Sequence, residues 1–214
     1  MIQSKGLRVM VLSSILFLVV PSWSMGKNSR VDVDNCHQVN SFLKSLLPEA
    51  YRQLDPRNKA LGQMVLEASI IPPTNQEAEC CFAIYVSMSG EATLYGVLPQ
   101  TISIRNQLEA LRKKDKNIKP ENVKASRIII RNTPELRHIV TSIMKQRIEV
   151  VIPNGFWMHS SVYCVKFETM AYELEMTFFG ENNVDQRGIH QLLDRLIQAK
   201  QLLENSQQSN LRTK

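Results

Sequence analysis

The chain lacks the motifs that usually announce a function, and each absence removes a class of protein. It has no Cys-x-x-Cys and no pair of histidines at ligand spacing, which excludes the common structural zinc sites. It has no Gly-x-Ser-x-Gly elbow, no His-Glu-x-x-His helix and no Walker loop, so the signatures of the α/β-hydrolases, zinc proteases and P-loop enzymes are missing and no cofactor is implied. Aromatic residues make up 7% of the chain, and the formal charge of +6 is spread along it with no basic stripe carrying interleaved aromatics. Nucleic acid is therefore not an expected partner. One cationic run, Arg112-Lys113-Lys114-Asp115-Lys116, closes a predicted helix, where positive charge complements the helix dipole. It reads as a solvated helix end.

What is present first is an export signal. Lys5 and Arg8 precede an apolar run from Val9 to Val20, interrupted by Ser13 and Ser14, and Pro21-Ser22-Trp23-Ser24 breaks it with small residues at the cleavage positions. Residues 1–24 are read as a signal peptide cleaved after Ser24. The alternative is an uncleaved anchor, which the run's length disfavours because a spanning helix needs roughly 20 residues. Removing the segment takes away two cations and lowers the formal charge from +6 to +4. At 214 residues and 43% hydrophobic, the remainder can hold a sizeable core in one domain.

Four cysteines, Cys36, Cys80, Cys81 and Cys164, suit disulfides in an exported chain. Adjacent Cys80 and Cys81 would bridge one another only under strain, and on a strand they point to opposite faces. If bridges form, Cys36 and Cys164 each meet one member of the pair. The alternative is four buried or half-buried thiols, since a domain of this size does not need staples.

Periodicity divides the chain into five parts. After the signal peptide, residues 25–71 form an N-terminal helical segment. A first helix carries Val39, Phe42, Leu43, Leu46 and Leu47 on one face, and Asp55-Pro56 opens another with Leu61, Met64 and Val65 on its apolar side. Ala68 to Ile71 could be a short strand, and Pro72 to Glu77 is a loop. Residues 80–153 form a central α/β unit. In it Phe82, Ile84, Val86 and Met88 alternate along a strand, Ser89-Gly90-Glu91 turns, and Ala92 to Leu98 returns. Ser103 caps a helix with Leu108 and Leu111 buried, and Arg127 to Arg131 reads as an interior strand. Thr133-Pro134-Glu135 starts a helix with Leu136, Ile139, Val140, Ile143 and Met144 on its buried stripe, and Ile148 to Ile152 returns as a strand. Residues 154–204 repeat the theme as a hairpin, Val162 to Glu168 with Tyr172 to Phe179, and a helix. Residues 205–214 read as a polar, flexible tail. The expected class is α+β, with mixed small sheets from two hairpins and two further strands packed against amphipathic helices.

The order Ile71-Pro72, Ile84-Tyr85-Val86-Ser87, Gly90, Leu94-Tyr95-Gly96, Leu108 and Leu111, Ile128-Ile129-Ile130-Arg131, Thr133-Pro134, and Ile148 to Ile152 resembles the periplasmic domain of the ExbD and TolR biopolymer-transport proteins. It covers residues 71–153. The resemblance implies a small α/β domain that dimerises, contacts envelope or cell-wall partners, and hangs from one N-terminal membrane helix bearing a proton-coupling aspartate. No residue from Leu7 to Pro21 is acidic, so nothing here matches that aspartate.

Catalytic groupings are thin. His159 lies beside Ser160 and Ser161, His37 follows Cys36, and His138 sits early in its helix, but sequence neighbours seldom form a nucleophile–base pair. Glu173 and Glu175 share a strand face with Thr177, which reads as a solvated face. Phe156, Trp157 and Met158 stand in a connection where polar residues are usual. They either cover the end of the core or form a contact surface for a partner. The sequence thus points to an exported periplasmic protein that is not an enzyme and acts by binding or assembly in the cell envelope. Its expected partner is an envelope protein or cell-wall component, or a second copy as a homodimer, with membrane attachment only if the N-terminal segment stays uncleaved. The alternatives are a membrane-anchored transport accessory and an unrecognised hydrolase.

Overall fold

The structure is a computed structural model and describes residues 33–54, 62–73, 77–113, 118–146, 161–168, 173–179 and 189–212. Helices α1 (Val33–Ser45) and α2 (Glu49–Arg52) precede strands β1 (Met64–Ile71), β2 (Cys80–Val86) and β3 (Ala92–Pro99). Helix α3 (Ile104–Arg112), a 3-10 turn at Pro120–Asn122 and strand β4 (Ala125–Arg131) follow. Then come α4 (Pro134–Met144), β5 (Val162–Glu168), β6 (Glu173–Phe179) and α5 (Ile189–Arg212). The class is α+β. The strands make one six-stranded sheet in the order β4-β3-β2-β1-β5-β6, and every pairing in it is antiparallel.

Alternation along the strands sorts the core into two layers. Leu66, Ala68 and Ile70 of β1, Phe82 and Ile84 of β2, Leu94 and Leu98 of β3, and Tyr163, Val165 and Phe167 of β5 share one face. They pack under Leu136, Ile139 and Ile143 of α4 and Leu192, Leu196 and Leu203 of α5. The other face carries Val65, Ile71, Cys81, Ala83, Tyr95, Val97, Val162 and Cys164. It is covered by Val39 and Leu43 of α1, Leu46 and Leu47 just after it, Tyr51 of α2, and Ile104 and Leu108 of α3.

Local signals account for the ends of these elements. Ser103 Oγ accepts from the Asn106 amide at 3.2 Å and Thr133 Oγ1 from the Leu136 amide at 3.2 Å, each satisfying one orphan donor of its helix. Gly90 has φ +82° in the β2–β3 turn, a conformation that favours glycine. Where α5 crosses β3, the Leu203 side chain occupies the space a Cβ on Gly96 would take, so glycine there lets Leu203 keep its present position.

Several expectations are corrected. Met64 and Val65 are not the apolar side of a helix but the first residues of β1. Seven of that strand's eight residues are buried, because a strand covered on both faces loses the alternation that identifies strands in sequence. Among the described residues the run from Arg127 to Arg131 is not an interior strand but β4, at one end of the strand order, with Ile129 40% exposed and arginines of the kind that blunt a sheet edge. Met88 is 58% exposed because β2 ends at Val86 and the chain is already turning. Met144, the last residue of α4, is 50% exposed. Helix α5 continues to Arg212 through most of the stretch read as a tail. Gln207 ties it down, donating to the Pro99 carbonyl at 3.0 Å and to Ser126 Oγ at 2.8 Å. The expected strand from Ile148 to Ile152 lies outside the described residues, as do residues 1–32.

Candidate functional site

Helix α1 has two stripes. Val39 and Leu43 pack on the sheet, while Gln38, Ser41, Phe42 and Ser45, at helical spacing beside them, line the side toward α3. Between the two helices lies a groove of about 590 Å³, lined by those four residues, by Leu108 and Arg112 of α3, and by Ile118. Its floor is apolar: Leu108 is buried, and Phe42 and Ile118 are half-buried against the core. Its lip is polar. Arg112 Nη2 donates to Gln38 Oε1 at 3.2 Å across the groove, and Ser45 Oγ donates to the Phe42 carbonyl at 2.6 Å. Among the described residues no carboxylate stands within ion-pair distance of Arg112. The groove is thus an open surface cleft of three apolar and four polar side chains.

The position of α3, and so of Arg112, is set from a distance. Glu79, 1% exposed, accepts from the backbone amides of Ile104 at 2.9 Å and Arg105 at 3.2 Å. Its carboxylate thus caps the start of α3, where negative charge is favoured. Arg105 Nε lies 4.0 Å from the same carboxylate, and Arg105 Nη2 donates to the Pro72 carbonyl at 3.1 Å.

A second polar grouping anchors α1 and α2 to the sheet. Glu67, in the middle of β1, accepts from the Tyr51 hydroxyl at 2.5 Å and pairs with Lys44 at 3.5 Å. Burial, and then the Glu67 charge, drives the Tyr51 hydroxyl far above its ordinary value. Lys166 of β5 contacts Glu173 on the neighbouring β6 at 2.9 Å and Glu168 of its own strand at 3.7 Å, and the hydrogen bond to Glu173 leads the causes that raise the Lys166 pKa.

Among the described residues, the sequence-predicted site residues do not converge. Cys80, Cys81 and Cys164 are all buried, and Cys80 and Cys81 are free thiols, so neither of the adjacent pair forms the expected bridge to Cys164 or Cys36. The register gives the reason. Cys81 and Cys164 both pair with Ser69 from opposite sides of β1, which holds their Cα atoms roughly 10 Å apart, beyond the approximately 7 Å limit for a bridge. Cys80 belongs to the opposite face. Burial pushes the Cys80 thiol up to about 12, and the Cys81 thiol likewise to about 12 against a smaller lowering influence of Ser69. Thiols of this kind are poor nucleophiles at neutral pH. Cys36 belongs to α1, but its side chain lies outside the described residues. Phe156, Trp157 and Met158 also lie outside them, as do His159 and Ser160. His138 is exposed on α4, and Glu173 and Glu175 share an exposed face with Thr177.

Sequence reasoning missed Glu79 and the pairing of Arg112 with α1. Arg112 was visible only as part of a cationic helix end, and no local signal says which helix will lie beside it. No family model, no curated protein and no solved structure matches this chain.

Proposed function

We propose that the protein is exported and acts without catalysis, by binding a component of the cell envelope in the groove between α1 and α3. The observation that carries this reading is the groove itself. A buried leucine and two half-buried apolar side chains form its floor, and an arginine lies at its lip with no acidic partner among the described residues. Such a surface gains by being covered. The N-terminal cations followed by an apolar run and small residues at the break support export, and the buried, high-pKa thiols of Cys80 and Cys81 support binding over covalent chemistry.

A photo-crosslinking residue placed at Ser41 in the full chain, in intact cells, tests the reading. Adducts are expected from position 41 in the periplasmic fraction, absent when Arg112→Glu is added, and absent from a control placed at exposed His138 on the other side of the sheet. Equal labelling from both positions, or none from position 41, overturns it.

A further inference from the structure

The lip of the groove specifies the ligand more closely. We propose, resting on the binding reading above, that the groove takes an amphipathic anion: an apolar chain lying on Phe42, Leu108 and Ile118, with an acidic head held by Arg112.

Charge complementarity selects this class. Among the described residues Arg112 is the only charged one lining the groove, and it sits in the last turn of α3. One of its amino groups is engaged by the Gln38 side-chain oxygen. A guanidinium carries five donors in a planar fork, so this contact steadies the group and leaves donors for a carboxylate or phosphate head. The Gln38 amide and the Ser41 hydroxyl stand at the same lip. A neutral amphiphile would cover the floor but leave the guanidinium without its anion. A cationic one would place like charges together.

The floor fixes the other end of the ligand. Phe42 and Ile118 are packed against the buried layer that includes Leu43 and Leu108, so the apolar part of the ligand would extend a core surface and not a loop. Burying chain methylenes there contributes affinity roughly in proportion to the apolar area covered, while the head group adds selectivity.

Calorimetric titration of the purified full chain with decanoate, decanol and decyltrimethylammonium, each below its aggregation concentration, tests the assignment. Decanoate is expected to bind roughly tenfold or more tightly than decanol, as a charge-assisted contact allows, and the cation not to bind measurably. Arg112→Gln should erase the preference for decanoate and leave decanol binding unchanged. Arg112 is exposed, so the fold should be retained. Ser41→Trp, which fills the groove, should abolish binding of both. Failure of decanoate to bind, or equal decanoate affinity in Arg112→Gln, overturns the proposal.

The two readings fail separately. Crosslinking from position 41 without decanoate binding keeps the envelope-binding groove and removes this ligand class. Arginine-dependent decanoate binding without adducts in cells keeps the ligand class and removes the envelope partner.

Discussion

At the scale of single residues, the sheet is sensitive at points where a side chain's size or ionisation is incompatible with its surroundings. Gly96 is one. A Cβ there would meet both methyl carbons of Leu203, so Gly96→Val forces the buried Leu203 side chain to repack or α5 and β3 to move apart. Overpacking of this kind costs about 1–3 kcal/mol; urea unfolding of the variant should show that loss, and an unchanged midpoint would mean the helix accommodates the side chain freely. Cys80 and Cys81 are a second case. The folded protein keeps both thiols protonated up to about 12, whereas their ordinary value is 9.0. Between those values the unfolded chain holds fewer protons than the folded one, so stability is complete below about pH 9 and falls as pH rises toward about 12. Each thiol contributes a slope of roughly 1.4 kcal/mol per pH unit in that window. Tyr51, also raised, acts in the same direction. Denaturation midpoints measured across the window should fall with pH, and the Cys81→Ala variant should show a shallower dependence. A flat profile would contradict the burial of these groups.

Among elements, α3 is the one whose placement depends most on a single distant residue. Its own N-cap, Ser103, was visible in the sequence because a cap acts over three residues. Glu79 acts across 25 residues, after a proline-rich loop, and nothing local marks it. Its carboxylate satisfies two amides and lies near Arg105. Removing one partner from a buried, hydrogen-bonded charge leaves the others uncompensated. Glu79→Ala is expected to destabilise the protein by about 2–4 kcal/mol and to weaken groove binding as α3 loosens. Thermal unfolding followed alongside decanoate titration checks both effects. Unaltered stability would show that the Ser103 cap alone is sufficient. The long helix α5 gives the reverse lesson. Its end looked like a frayed tail because Asn205 to Arg212 is mostly polar, yet one amide, Gln207, fastens it to β3 and β4.

For the whole molecule, strand order governs how stability is distributed. β1 is paired on both sides and covered on both faces, whereas β4 and β6 each have only one strand partner among the described residues. Regions with dense burial and complete pairing open only with global unfolding, while edges open locally. Native-state hydrogen exchange should therefore find the slowest amides in β1 and β2 and faster ones in β4 and β6. Slowest exchange in β4 would contradict the strand order, since it would restore that strand to the interior position its sequence suggested. The helical stripes of α1, α4 and α5 and the β2–β3 hairpin were legible because their patterns lie within one element. The groove was not, because Gln38 and Arg112 are 74 residues apart and meet only when two helices settle side by side on the sheet.

The sequence by itself determined the α+β class, the first hairpin, the Ser103 and Thr133 helix starts and the buried stripes of the helices. Turn chemistry, capping and amphipathic periodicity all act within a few residues, so the local chain carries them whole. Only the tertiary structure decided that β1 is central and that β4 ends the order of the described strands, that Cys81 and Cys164 stand apart across Ser69, and that Arg112 overhangs a groove with an apolar floor. Strand pairing and helix docking join residues far apart in the chain, and burial on both faces erases the alternation that would have announced the central strand.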